Sequence, residues 1–142
     1  MVLACSSRKS SSSGLLPAIE RYDGVVFRVV KRLMRLSQYP DDVDLLIVSA
    51  KYGLIKHDQR IQNYDLRMTP ELAMKQAEQN RVMLHEAVKL GRYSDVFVSA
   101  GKVYLLAVEP FSAWQGATVV TVNRGKIGVQ LRSLKQWLLR VK

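Results

Sequence analysis

The chain has 142 residues, 48% of them hydrophobic, and its 22 Lys and Arg against 12 Asp and Glu give a formal net charge of +10. That is the size of one domain with its own core, and no apolar run approaches the ~20 residues that a bilayer span needs, so no membrane span is expected. A single cysteine leaves no internal disulfide and suits a cytoplasmic, reducing setting, and the positive charge favours a nucleic acid or nucleotide as partner.

Val2 to Cys5 is a short apolar run and reads as the first strand. Its last residues resemble a lipoprotein cleavage box, but no basic segment and no long apolar segment precede them, so no lipid anchor is expected. Ser6 to Gly14 is serine-rich and reads as a loop with freedom to move. Pro17 is placed to open a first helical segment. Tyr22 to Leu36 predicts a helix whose inward stripe is Val26, Val29, Val30 and Leu33, with Arg28, Lys31, Arg32 and Arg35 on the other side.

Tyr39 to Asp42 is a turn. Asp44 to Ala50 contains the continuous apolar run Leu45-Leu46-Ile47-Val48, the pattern of a strand covered on both faces. Gly53 to Met68 is a long connection, of a length that is often functional or irregular. Thr69-Pro70 is an N-cap followed by proline at the first helical position. The helix then runs to about Leu90, with Leu84, Ala87 and Val88 inward and Gly91 as its stop. Asp95 to Ser99 is the third strand, Lys102 to Val108 a short helix stopped before Pro110, and Ala117 to Val122 the fourth strand. A last helix runs from about Gly125 to Val141 with Ile127, Leu131, Leu134, Leu138 and Val141 inward.

Strands alternating with helices imply a single α/β domain over residues 1–142. The expected architecture is a three-layer Rossmann-like or flavodoxin-like sandwich with about four central parallel strands in the order 2-1-3-4. In such sheets ligands bind outside the carboxyl ends of the strands. Every strand exit here is polar and cationic. The first carries Cys5, Ser6, Ser7, Arg8 and Lys9. The second carries Ser49, Lys51, Tyr52 and Gly53, with Tyr64 further along the connection. The third carries Ser99, Lys102 and Tyr104, and the fourth Asn123 and Arg124. Lysine and arginine supply charge for phosphate or carboxylate, serines add directed donors, and tyrosine offers a ring to stack on and a hydroxyl to donate.

Three residues are candidates for chemistry. Cys5 is either a thiol activated by Arg8 and Lys9 or a small apolar residue of the core. Lys51 suits a nucleophile or base, or the holding of an anion. Asp65 is the best-placed carboxylate if the long connection folds over the site, and otherwise belongs to a turn or an ion pair. His57 is a weak acid–base candidate, and His85 reads as a half-buried helix residue. Neither has the neighbours that zinc requires, so no metal is expected. Ser99 to Lys102 lacks the first glycine of a P-loop, and no G-x-G-x-x-G follows a strand, so no cofactor is expected. The basic faces Arg28–Arg35 and Arg132, Lys135, Arg140 and Lys142 are of the kind that track phosphates, although such faces are more often simply solvated.

The segments I-V-S-A-K-Y-G-L-I and I-Q-N-Y-D-L-R-M between Leu46 and Met68 resemble the paired signature of the YaaA-like superfamily. Tyr22-Asp23-Gly24 is similar to its element before a helix. Cys5 to Lys9 is similar to the CSxxK start of an uncharacterised branch, and Val98 to Tyr104 sits where that superfamily has an ASxEY-like segment. The resemblance implies a YaaA-like α/β fold. It also implies DNA binding and a link to peroxide stress. Through the related domain of archaeosine synthase, it implies chemistry on a modified guanine with a lysine adduct, for which Lys9 and Lys51 are the candidates. This chain is much shorter than typical YaaA proteins, and Lys102 falls near the place of their glutamate. Three functions are therefore expected in order: a nucleic-acid- or nucleotide-binding domain, an enzyme acting on a nucleobase or nucleoside, and a partner subunit using exposed apolar residues such as Trp114.

Overall fold

Each apolar run becomes a strand with alternate residues turned to opposite faces. A computed structural model describes residues 1–91, 93–109 and 119–141. The elements are β1 (Val2–Ala4), β2 (Leu16–Pro17), α1 (Ala18–Arg21), α2 (Val25–Arg35), β3 (Leu46–Ser49), β4 (Gly53–Lys56), β5 (Arg60–Ile61), α3 (Pro70–Gly91), β6 (Asp95–Ser99), α4 (Lys102–Leu105), β7 (Val119–Asn123) and α5 (Ile127–Val141). The main sheet has the order β4-β3-β1-β6-β7. β3, β1, β6 and β7 are parallel and β4 is antiparallel to β3. The four parallel strands thus take the expected order. Trp114, offered as an interface residue, lies outside the described residues.

Two cores lie on opposite faces of the sheet. Leu3, Ile47 and Phe97 pack with Phe27 and Val30 of α2 and with Leu134, Trp137 and Leu138 of α5. Val2, Val48, Val96 and Val98 pack with Ala73 and Leu84 of α3 and with Leu105 and Val108 around α4. This is the period of two that a sheet covered on both faces requires. Thr69 caps α3 as expected, its Oγ1 accepting the Leu72 amide at 3.2 Å.

The sequence pattern does not predict the edge strand β4. The connection after β3 does not leave the sheet: it turns over Ala50, Lys51 and Tyr52, and Gly53 pairs back onto Ser49. Gly53 has φ +72°, and a Cβ there would stand 3.1 Å from Asn80 Oδ1. A three-residue hairpin loop closed by a residue in the left-handed region calls for glycine. Farther on, β5 pairs antiparallel with β2 in a separate two-stranded ribbon. The long connection is therefore largely built, and only its last part lacks regular structure.

Three helix faces differ from the sequence reading. In α2 the buried residues are Phe27 and Val30, with Val26, Val29 and Leu33 only partly covered, because the aromatic ring takes the centre of the contact. In α5 Ile127 is 54% exposed, whereas Trp137 is buried and stacks on Phe97 with ring centroids 5.1 Å apart. In α3 His85 is exposed rather than half-buried. It follows Leu84, which faces the core, by one residue and so turns about 100° away, as expected for 3.6 residues per turn. The side chains of Val88 and Val141 and all of Lys142 lie outside the description.

Candidate ligand cleft at the carboxyl edge

The backbone of β1 and β6 ends at a cleft of about 610 Å³, a volume typical of ligand sites. One wall is the exit of β1, with Cys5, Ser6, Ser7 and Lys9. The opposite wall is the last part of the long connection, Asp65 to Met68. The third side is the start of α4, with Gly101, Lys102 and Tyr104. Cys5 Sγ and Tyr104 Oη lie 3.2 Å apart across it. Asp65 thus lines the cleft together with the β1 exit. Lys9, Lys102 and Arg67, which sequence reading passed over, bring three cations to a cleft with one carboxylate.

Beside the cleft stands a ring of three hydroxyls. Tyr22 donates to Ser49 Oγ at 2.9 Å, Ser49 Oγ and Tyr64 Oη are 3.0 Å apart, and Tyr64 and Tyr22 hydroxyls are 2.7 Å apart. Each hydroxyl has one proton. With the Tyr22 proton directed at Ser49, the other two bonds are both made only if Ser49 donates to Tyr64 and Tyr64 to Tyr22. Such a closed circuit strengthens each of its bonds. Ser49 Oγ also accepts the Tyr52 amide at 3.1 Å and, more weakly, the Lys51 amide at 3.3 Å. It therefore shapes the hairpin turn, and being fully buried it cannot itself meet a ligand.

The tyrosine rings carry the cations. Lys9 Nζ sits 4.5 Å from the Tyr64 ring centroid, and Lys51 Nζ lies 5.5 Å from that of Tyr52 and 5.9 Å from that of Tyr64. Tyr52 and Tyr64 meet edge to face at 5.7 Å. A ring face attracts a nearby ammonium through its quadrupole, so Tyr64 draws Lys9, which lines the cleft, and Tyr52 and Tyr64 draw Lys51, which does not. Burial pushes the Tyr22, Tyr64 and Tyr104 hydroxyls well above the ordinary phenol value. They stay protonated at neutral pH and act as hydrogen-bond donors, not as bases.

The remaining candidates divide. Ser6 Oγ donates to the Arg8 carbonyl at 2.7 Å and accepts the Gly24 amide at 3.1 Å. A Cβ on Gly24 would lie 2.6 Å from Ser6 Cβ, so only glycine allows α2 to start this close to the β1 exit. Arg8 turns away from the cleft to Asp23 at 3.7 Å, and Arg28 and Lys31 reach the same carboxylate at 3.0 and 3.3 Å. Ser99 and Asn123 are buried: Asn123 Nδ2 donates to Ser99 Oγ and to the Gln130 carbonyl of α5. The pair joins β6 to β7 and α5, and neither residue lines the cationic cleft. Lys51, Tyr52 and Arg124 are not among the residues lining the cleft. His57 sits after β4, at the amino end of β3, where Lys56 pairs with Leu46, remote in the sheet from the carboxyl edge.

Four segments far apart in sequence therefore converge: Cys5–Lys9, Tyr22–Gly24, Ser49–Gly53 and Tyr64–Met68. The chain belongs to the family of unknown function DUF6884, whose model matches residues 1–136. None of the curated proteins and none of the solved structures matches it. The span of the family match takes in all four converging segments of this DUF6884 member.

Sequence reading missed one residue that organises the site. Arg21 is fully buried. Its Nη1 donates to the Ser10 and Ser12 carbonyls at 2.8 and 2.9 Å, and its Nη2 to the Gly14 carbonyl at 2.6 Å and the Ile61 carbonyl at 3.4 Å. The serine-rich loop is consequently tied down, contrary to the mobility its composition implied. The guanidinium fork suits several carbonyls at once, and nothing in the sequence around Arg21 distinguishes it from a surface arginine. Among the described residues, no group of three or more His, Cys, Asp or Glu side chains could hold a metal ion, and no helix is long and apolar enough to cross a membrane.

Proposed function

We propose that this DUF6884 domain binds a phosphate-bearing ligand, a nucleotide or nucleic acid, in the cleft at the carboxyl edge of β1 and β6. The observation that carries this reading is the meeting of Lys9, Arg67 and Lys102 with the single carboxylate Asp65 in one cleft. Cations attract and orient phosphate, and the formal charge of +10 steers polyanions toward the domain. The YaaA-like resemblance supports the same reading, since its two signature segments are those joined here by the Ser49–Tyr64 bond. The test is fluorescence anisotropy with a labelled single-stranded oligonucleotide and competition by nucleoside monophosphates, across a salt series. Binding should weaken with salt, and Lys9→Ala with Lys102→Ala should lower the log–log slope by about 1.4, ~0.7 per phosphate contact of a single strand. Absence of binding by oligonucleotide and mononucleotide alike at low salt would sink the proposal.

A second reading, catalysis on a nucleobase, is favoured by Asp65 sharing the cleft with Cys5 and Lys9. Of the two lysines raised by the likeness to archaeosine synthase, Lys9 is the one that lines the cleft. Chromatography of nucleosides and deazapurines incubated with the protein tests it. A product that Asp65→Asn abolishes is expected, and unchanged substrates throughout would remove this reading.

A further inference from the structure

A second cavity, of about 290 Å³, adjoins the cationic cleft and shares Cys5, Ser6 and Gly101 with it. Its chemistry is different. No charged side chain is among the residues that line it, and its apolar walls are Val25 and Val26 from the first turn of α2 and Ile127 from the start of α5. Val25 is 52% and Ile127 54% exposed. Two aliphatic side chains that line a cavity and are only half covered in the fold would gain further by covering a flat apolar surface. Gln130 also lines the cavity. Its Nε2 donates one of its two protons to the Gly125 carbonyl at 2.7 Å, which leaves the second proton as a donor and Oε1 as an acceptor. The backbone amides of the first α2 turn add donors that have no partner within the helix.

The two cavities meet at Gly101, where an added Cβ would find no atom within 4 Å. A ligand crossing that junction would place a charged group among Lys9, Lys102 and Arg67 and an uncharged, flat, hydrogen-bonding group between Val25 and Ile127. We infer that the site takes a mononucleotide unit in two parts, with the phosphate in the cationic cleft and the base in the second cavity. This rests on the phosphate reading above and adds to it a class of ligand and a residue pair that selects it.

Isothermal titration calorimetry with the four common nucleoside 5′-monophosphates and with ribose 5-phosphate tests the inference. At least one nucleoside monophosphate should bind about tenfold or more tightly than ribose 5-phosphate, from the apolar area the base buries. The variant Val25→Asn with Ile127→Asn should bring that nucleotide down to the affinity of ribose 5-phosphate and leave ribose 5-phosphate itself unchanged. If the double variant does not fold, Val25→Asn alone, at a half-exposed position, gives the same comparison. Equal affinity of all the phosphates for the native protein would overturn the inference while leaving the phosphate reading intact, as would a nucleotide preference that survives the variant. No binding by any of them would remove both.

Discussion

Ser49 and Tyr64, 15 residues apart, join hydroxyl to hydroxyl at 3.0 Å, so the turn after β3 is tied to the residue that immediately precedes the cleft wall Asp65–Met68. Tyr22 closes the circuit from the other side. Ser49→Ala should cost about 2 kcal/mol, because it leaves buried partners without their bonds. Tyr64→Phe should cost about 1 kcal/mol. Equilibrium urea unfolding measures both, and a double-mutant cycle should show the two losses to be less than additive, since the residues share one circuit. Independent, fully additive losses would mean that the hydroxyls do not act together.

Alkaline pH should act through the same tyrosines. Burial raises Tyr22 and Tyr64 above the ordinary phenol value of 10.0. The unfolded chain then gives up these protons first as pH rises, so their contribution to stability is full below about pH 10 and is lost progressively above it. Thermal melts across that range should show a steeper fall for the native protein than for Tyr22→Phe. Parallel curves would count against a buried, protonated Tyr22.

Arg21→Met should destabilise by about 3 kcal/mol or more, since carbonyls that shared one guanidinium lose a charged donor inside the protein. Arg21→Lys should recover only part of this, because an ammonium cannot fork between them. Limited proteolysis reads the local effect: cleavage among Ser10 to Gly14 should rise in Arg21→Met before global unfolding. Unchanged protection of that loop would show that something else fixes it.

Asp23 accepts Arg28 and Lys31 at the solvent boundary, and these bonds hold its carboxyl below the ordinary value of 3.8. The contribution to stability is present above that pH and fades as the pH falls through the lowered value. Asp23→Asn should therefore flatten the acid side of the stability profile, and added salt should reduce the difference between the two proteins. A salt-insensitive difference would point to packing in place of charge.

The sheet was legible in the sequence where apolar residues run continuously. Leu45 to Val48 and Asp95 to Ser99 read as short segments bounded by polar residues, and their alternation with helices implies the parallel sheet, although alternation alone does not fix the order of its strands. β4 was not legible, because only Leu54 and Ile55 stand between Gly53 and Lys56, and two apolar residues carry no period. Helix faces were legible to within one turn of the stripe. Phe27 and Trp137 decided the contacts by size, which a pattern of positions does not register. The cleft was legible as a set of strand exits, and Cys5, Ser6, Ser7, Lys9, Asp65, Lys102 and Tyr104 do line it. What chain order concealed was direction: Arg8 looks to Asp23, and Ser99 and Asn123 look to each other. Burial and pairing of this kind depend on elements from distant parts of the chain.

Arg21 holds carbonyls from two segments distant in sequence, those of Ser10, Ser12 and Gly14 following Lys9 and that of Ile61 preceding Tyr64. The chain after Lys9 and the chain before Tyr64 are thereby joined through one buried side chain. If the cleft binds phosphate as proposed, its capture should run at the rate of diffusion and electrostatic steering, with no slow ordering of these two segments.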